Sequence, residues 1–166
     1  MKMKKQFLII LLLFVNLTQA QITSNIISKV DFYNIKINNV SLLEITKTKG
    51  NQNQFKDVFP KTIIDSTIDN DEDYYDYTFN GFMIGFSENE ISAFKIKNND
   101  WSINIKGKKV TIGSDISILG NVIFNTRRNG DKSVVYQFCN GCNNFIYIEF
   151  NQKTHKILEI GFIDQT

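Results

Sequence analysis

One proline, two cysteines, one histidine and one tryptophan are all that 166 residues hold of the types that stiffen turns, staple folds, bind metals and shuttle protons. One proline and nine glycines, beside 13% aromatics, exclude a collagen-like or low-complexity chain. They favour strands, where aromatic and β-branched side chains fit a pleated surface. The glycines form no phosphate-cradling loop. The single histidine, His155, sits in the polar turn Asn151-Gln-Lys-Thr-His155-Lys156 with no nucleophile-elbow signature near it. Ser-His-Asp and Cys-His-Asn arrangements would both have to recruit that one residue. Long hydrophobic runs are also missing: Phe7 to Val15 is less than half of the roughly 20 apolar residues that a membrane-crossing helix needs.

That run has another use. Lys2, Lys4 and Lys5 precede it and Thr18-Gln19-Ala20 follows it, which is the basic, apolar and small-residue order of a signal peptide. The expectation is a signal over residues 1–20, cleaved after Ala20, and a secreted or periplasmic mature chain without a membrane span; a membrane anchor is the alternative. No cysteine follows the cleavage position, so a lipidated signal is not supported. Losing the three lysines takes the formal charge from +2 to −1. A nucleic-acid partner thereby loses its electrostatic footing. The wealth of Ile, Asn and Lys reflects AT-rich codons and, with the signal, points to a bacterial protein.

What is present is an internal repeat. Tyr33-Asn-Ile-Lys-Ile37, Asn38-Asn39 and Val40-Ser-Leu42 alternate as strand, turn and strand, and Ser102-Ile-Asn-Ile-Lys106, Gly107-Lys108-Lys109 and Val110-Thr-Ile112 do so again. Each hairpin leads to a short helical segment. In the first, Phe55, Val58 and Phe59 stand at helical spacing before Pro60; in the second, Ser114-Asp115 can cap Ile116 to Leu119 before Gly120. A three-strand meander closes each half: Tyr74–Phe79, Phe82–Phe86 and Ile91–Ile96, then Val134–Phe138, Phe145–Phe150 and Ile157–Phe162. Asn80-Gly81 and Asn140-Gly141, the pair that best tolerates a type I′ turn, are expected to join strands. Alternation assigns Tyr75, Tyr77, Phe79, Phe82, Ile84 and Phe86, and Val134, Tyr136, Phe138, Ile146, Ile148 and Phe150, to the core.

The expected fold is therefore strand-rich α+β, with two tandem units over 21–97 and 98–166. Each is a β-hairpin, a short helix and a three-stranded antiparallel meander. Units of this size are marginal alone, and the link Lys97-Asn98-Asn99-Asp100 is short, so they should pack as one structural unit. On Val110-Thr-Ile-Gly-Ser-Asp-Ile-Ser-Ile-Leu119 and the meander after it, this plan resembles the secreted beta-lactamase inhibitory proteins. A single unit resembles the small outer-membrane assembly lipoproteins of the SmpA/OmlA type. The resemblance implies tandem helix-plus-meander units, and fold analogy alone does not carry a function. It departs in the extra leading hairpin, the missing lipidation cysteine and the cysteine pattern, so no functional residue carries over.

Cys139-Asn140-Gly141-Cys142 is the sharpest motif. With strand patterns on both sides rather than a helix N-terminus to stabilise a thiolate, and an oxidising compartment expected, a disulfide is the first reading and a thiol-disulfide catalyst the second. If a two-residue hairpin forms, the cysteines fall at a hydrogen-bonded pair. Asp65, Asp69, Asp71, Glu72, Asp73 and Asp76 cluster without a base, and Asp69-x-Asp71-x-Asp73 begins a calcium-loop spacing. Tyr74 then stands where that loop needs glycine and Asn80 where it needs glutamate, which leaves a solvated acidic loop as the main reading. At the equivalent place in the second half lies a basic run with Arg127, Arg128 and Lys132. The two loops, through Asp71, Glu72, Asp73, Arg127, Arg128 and Lys132, are candidate partner contacts. Glu44, Asp115 and Glu149 are acids that nothing in the sequence places across a cleft.

These readings point to a non-catalytic secreted or periplasmic protein without a cofactor, binding another protein or an envelope component as inhibitor, immunity-type protector or envelope-assembly factor. A small secreted hydrolase using carboxylates, or a thiol-disulfide protein using the C-x-x-C, is the alternative.

Overall fold

A computed structural model describes residues 25–69, 74–126 and 130–164. The expected signal segment, Asp71, Glu72 and Asp73, and Arg127 and Arg128 lie outside the described residues. In chain order the elements are β1 (Asn25–Ile26), α1 (Lys29–Tyr33), β2 (Lys36–Ile37), β3 (Val40–Ser41), α2 (Leu42–Lys47), α3 (Gln52–Val58), β4 (Asp65–Asp69), β5 (Tyr74–Phe79), β6 (Phe82–Ser87), β7 (Glu90–Ile96), β8 (Ser102–Ile105) and β9 (Lys108–Thr111), followed by a 3-10 turn (Ile116–Leu119). Four more strands complete the chain: β10 (Phe124–Thr126), β11 (Lys132–Gln137), β12 (Phe145–Phe150) and β13 (Ile157–Ile163). No helix among the described residues is long and apolar enough to cross a membrane.

Nine strands form one mixed sheet in the order β1-β11-β12-β13-β7-β6-β5-β4, with β10 also on β11. The meanders β5-β6-β7 and β11-β12-β13 are joined by antiparallel pairing of β7 with β13, Phe94 opposite Phe162. A second antiparallel sheet, β3-β2-β8-β9, joins the two short hairpins through β2 and β8. At one margin of the large sheet, β1 (parallel) and β10 (antiparallel) share the edge of β11. Asn25 knits them together: its amide donates to the carbonyls of Ile123 and Val135, both at 3.0 Å, and accepts from the Ile123 N–H at 2.8 Å.

Alternation drives the packing. Tyr77, Phe79, Phe82, Ile84, Phe86, Phe94 and Ile96 from one meander, and Val134, Tyr136, Ile146, Ile148, Ile160 and Phe162 from the other, are buried on one face of the large sheet; Tyr75 and Phe138 pack at its margin half-buried. Against this face lie the helices and the second sheet, which contributes Ile37, Ile103, Ile105 and Val110 to the same core. Phe55 of α3 stacks on Tyr77 with ring centres 4.7 Å apart, and Trp101 sits 4.3 Å from Phe82. Burial obliges the polar tips to find partners. The Trp101 Nε1–H donates to the Asn80 carbonyl (2.8 Å) and the Tyr77 hydroxyl to the Gly50 carbonyl (2.5 Å).

The structure departs from the sequence expectations in three places. First, the two halves do not carry one short helix each. Among the described residues three helices precede the first meander, and only the 3-10 turn, capped by Asp115 and ended at Gly120 with φ 73°, precedes the second. Tyr33 is the last residue of α1, and Leu42 opens α2 instead of continuing a strand. The physical reason is a reciprocal cap: Ser41 Oγ accepts the Glu44 N–H at 3.2 Å while the Glu44 carboxylate accepts the Ser41 N–H at 2.8 Å. Second, among the turns that join strands, the type I′ signature of two positive φ angles falls on Asn38-Asn39, Glu88-Asn89 and Lys106-Gly107; at Asn80-Gly81 and Asn140-Gly141 only the glycine is positive. Third, β11 and β12 are joined by the seven residues 138–144 rather than by a two-residue hairpin, so the cysteines are not a ladder pair. The Gln137 amide, donating to the Cys142 carbonyl at 2.7 Å, folds that loop back onto the strand.

Candidate functional site

Packing on one face leaves the other face of the large sheet to be read on its own. Register places across it, from β4 to β11, the row Asp65, Thr78, Met83, Lys95, Gly161, Tyr147 and Val135; beside it runs the row Thr67, Asp76, Gly85, Ala93, Ile163 and Phe145. Among the described residues, the ring contacts between the helices and the large sheet go to the opposite face, through Phe32, Phe55 and their neighbours. The centre of this outer face is floored by small residues, Gly85, Ala93 and Gly161. Both glycines are buried because neighbouring side chains lean over them: a Cβ on Gly85 would collide with the Asp76 carboxylate, and one on Gly161 with the Tyr147 ring.

Two polar groupings flank that floor. On β5 the Tyr74 hydroxyl donates to Asp76, and this bond, more than burial, holds the Tyr74 phenol above its ordinary 10.0. On the far side Tyr147 donates to Glu159 at 2.9 Å, and Lys95 approaches the same carboxylate at 3.4 Å. Met83 stands between them, 48% exposed. Asp76 and Glu159 are three strand spacings apart, which alone is about 14 Å, and are also offset along the strands, too far for a glycosidase pair. Glu149 does face Glu159 directly across β12 and β13. That pair lies on an open sheet face, with Glu159 already held by Tyr147 and Lys95. The arrangement is suited to contact: apolar, hydroxyl and charged groups of both signs on a rigid, shallow floor.

The residues singled out from sequence are dispersed. Cys139 and Cys142 stand at disulfide distance with Cα atoms 5.5 Å apart, in an exposed loop. Asp69 ends β4, and its calcium-loop companions Asp71 and Asp73 lie outside the described residues. Among the described residues no group of three or more His, Cys, Asp or Glu side chains is placed to hold a metal ion. Lys132 opens β11 and, with Glu149, Gln152 and Lys153, lines a polar hollow of about 340 Å³. His155 is exposed, in a turn with φ 58°, where its carbonyl accepts the Ile116 N–H at 2.9 Å.

Glu44 and Asp115 are helix caps. Hydrogen bonds from Ser41 hold the Glu44 carboxyl below its ordinary 4.5, and those from Ser117 hold Asp115 below 3.8. The sequence reading missed Gly85, Lys95, Tyr147, Glu159 and Gly161. An isolated glycine inside an alternating strand, as in Phe82-Met-Ile-Gly85-Phe86 and Ile160-Gly161-Phe162, is the signal of close approach that was there to find them. No family model, curated protein or solved structure matches this chain.

Proposed function

We propose that the protein is a secreted or periplasmic, non-catalytic binding protein that engages another protein or an envelope component through the outer face of its large sheet. One observation carries the reading: the described helices and the second sheet pack on one side, while the other side presents Met83, Ala93, Lys95, Glu159 and the Tyr74–Asp76 pair on a glycine floor. A sheet that invests its core on one face and keeps a mixed apolar and charged surface on the other has the composition of a contact surface. The role would be that of an inhibitor, immunity-type protector or envelope-assembly factor, and the acidic and basic loops would steer the partner's approach.

We further read the chain as two tandem units, as the resemblance to helix-plus-meander proteins implies. Antiparallel pairing of β2 with β8 and of β7 with β13, strands at corresponding places in the two units, supports that reading.

The test compares two variants as bait in extracts of the source cell's envelope and medium. Met83→Glu with Ala93→Arg alters the outer face, and Val30→Glu alters the exposed flank of α1. Loss of a discrete partner with the first and its retention with the second is expected. Retention by the outer-face variant, with its far-UV spectrum unchanged, overturns the proposal.

A further inference from the structure

The two margins of the large sheet are finished differently. One is covered by β1 and β10, knitted by Asn25, whereas among the described residues the other ends on β4, a five-residue strand exposed along its whole length. Proteins guard such edges with proline, lysine, bulges or very short strands. Asp65-Ser-Thr-Ile-Asp69 has no proline or lysine, and its register with β5 runs unbroken from Asp65 opposite Thr78 to Asp69 opposite Tyr74.

The ladder tells which backbone groups face outward. β5 meets β6 through the two-residue turn Asn80-Gly81 with Phe79 opposite Phe82, so Phe79, Tyr77 and Tyr75 direct their N–H and C=O groups to β6. Thr78, Asp76 and Tyr74 then direct theirs to β4, onto Asp65, Thr67 and Asp69. Ser66 and Ile68 are left pointing away from the sheet. In agreement, the Ser66 N–H donates to no strand; it is held by the carboxylate of its own neighbour Asp65 at 2.9 Å.

The side chains are equally one-sided. Ile68, 42% exposed, extends the core-face row to the edge, Ile64, 65% exposed, precedes the strand with its N–H on the Thr78 carbonyl at 2.7 Å, and Asp65 and Asp69 put two negative charges on the outer-face row. Beside the start of β4 a groove of about 690 Å³ is lined by Lys56, Phe59, Lys61 and Ile64.

We infer that the free edge of β4 accepts an extended segment of another protein as an added antiparallel strand, with basic residues opposite Asp65 and Asp69 and an apolar residue opposite Ile68. Main-chain bonds to Ser66 and Ile68 would hold it, and alternate side chains would select it. An antiparallel segment ends beside Lys56 and Lys61, so a terminal carboxylate suits that end. A second copy of this chain is the poorer occupant: pairing two β4 strands about Thr67 sets Asp65 against the copy's Asp69. This inference does not rest on the outer-face reading, since it uses the edge and not the face.

The test titrates the isotope-labelled protein with the peptide acetyl-Lys-Val-Thr-Val-Lys-Val bearing a free carboxylate, followed by amide NMR. Shifts and slowed exchange concentrated at Ser66 and Ile68 are expected, with none for a peptide carrying Glu in place of both Lys. Ser66→Pro removes an outward N–H without touching the β4–β5 ladder and should abolish binding. Should that variant unfold, Asp65→Lys with Asp69→Lys decides. It should weaken the lysine peptide about tenfold, the scale of two exposed ion pairs reversed, and admit the glutamate peptide. No shifts up to millimolar peptide, shifts on the outer face in place of the edge, or equal binding of both peptides overturns the inference.

Discussion

Gly161→Ala adds one methyl group at the centre of the outer face. Gly161 has a φ that any residue adopts, so backbone strain plays no part; the contact decides the outcome. The new Cβ would occupy the space of the Tyr147 ring, which is 4% exposed, and the ring must swing outward. Exposing about half of a buried aromatic surface, near 75 Å², costs about 2 kcal/mol. Loss of the 2.9 Å bond from Tyr147 to Glu159 adds about 1 kcal/mol, and alanine returns something under 1 kcal/mol over glycine in a strand. The net destabilisation is about 2 kcal/mol, read by urea unfolding. The diagnostic is a double-mutant cycle: in a Tyr147→Ala background the same glycine substitution should cost nothing or stabilise slightly, because the obstacle has gone. A loss of under 0.5 kcal/mol in the wild-type background, or an equal loss in both, would refute the reasoning.

Three further outcomes follow from the packing and the caps. Phe55→Ala, which empties the ring stacked on Tyr77 and packed on Phe86, should cost about 3–5 kcal/mol in thermal or urea unfolding. Glu44 has its carboxyl pKa lowered in the folded state, so its contribution to stability is present above the ordinary 4.5 and is lost as pH falls through the lower folded value. Urea midpoints followed into the acid range should therefore fall less steeply for Glu44→Gln than for the wild type. Replacing Cys139 and Cys142 by Ser should leave the fold intact and cost at most about 2 kcal/mol, because the closed loop is short and exposed; a melt of the double variant checks this.

The six meander strands were legible because each alternates strongly: Tyr75, Tyr77 and Phe79 can satisfy only one face. The second-sheet hairpins were legible for the same reason through Ile37, Ile103 and Ile105, although the first is shorter than its alternation suggests, with Tyr33 and Leu42 in helices. What escaped had little apolar content to show. β4 reads Asp-Ser-Thr-Ile-Asp and is an edge, β1 and β10 are two and three residues long, and α2 buries only Leu42 and Ile45. For α2 a signal existed in Ser41-x-x-Glu44, the two ends of a capping box. The Cys139–Cys142 segment misled because Asn-Gly is a strong hairpin cue, yet Tyr136 pairs with Ile146 and the intervening loop is longer. Nothing in periodicity states which strands meet across the sheet. The β7–β13 junction, which brings Lys95 beside Gly161 and Glu159 and so assembles the outer face, is a property of tertiary pairing.

Met83 is the direct reporter on whether that face binds. It is the only methionine outside the first three residues, it lies in the middle of the outer row, and it is 48% exposed. The measurement is the rate at which peroxide oxidises Met83 in the free protein and in the complex with the partner recovered from extract, read by mass spectrometry. Binding through the outer face predicts rapid oxidation in the free protein and a rate that falls with the fraction bound. An unchanged rate in a saturated complex would contradict it.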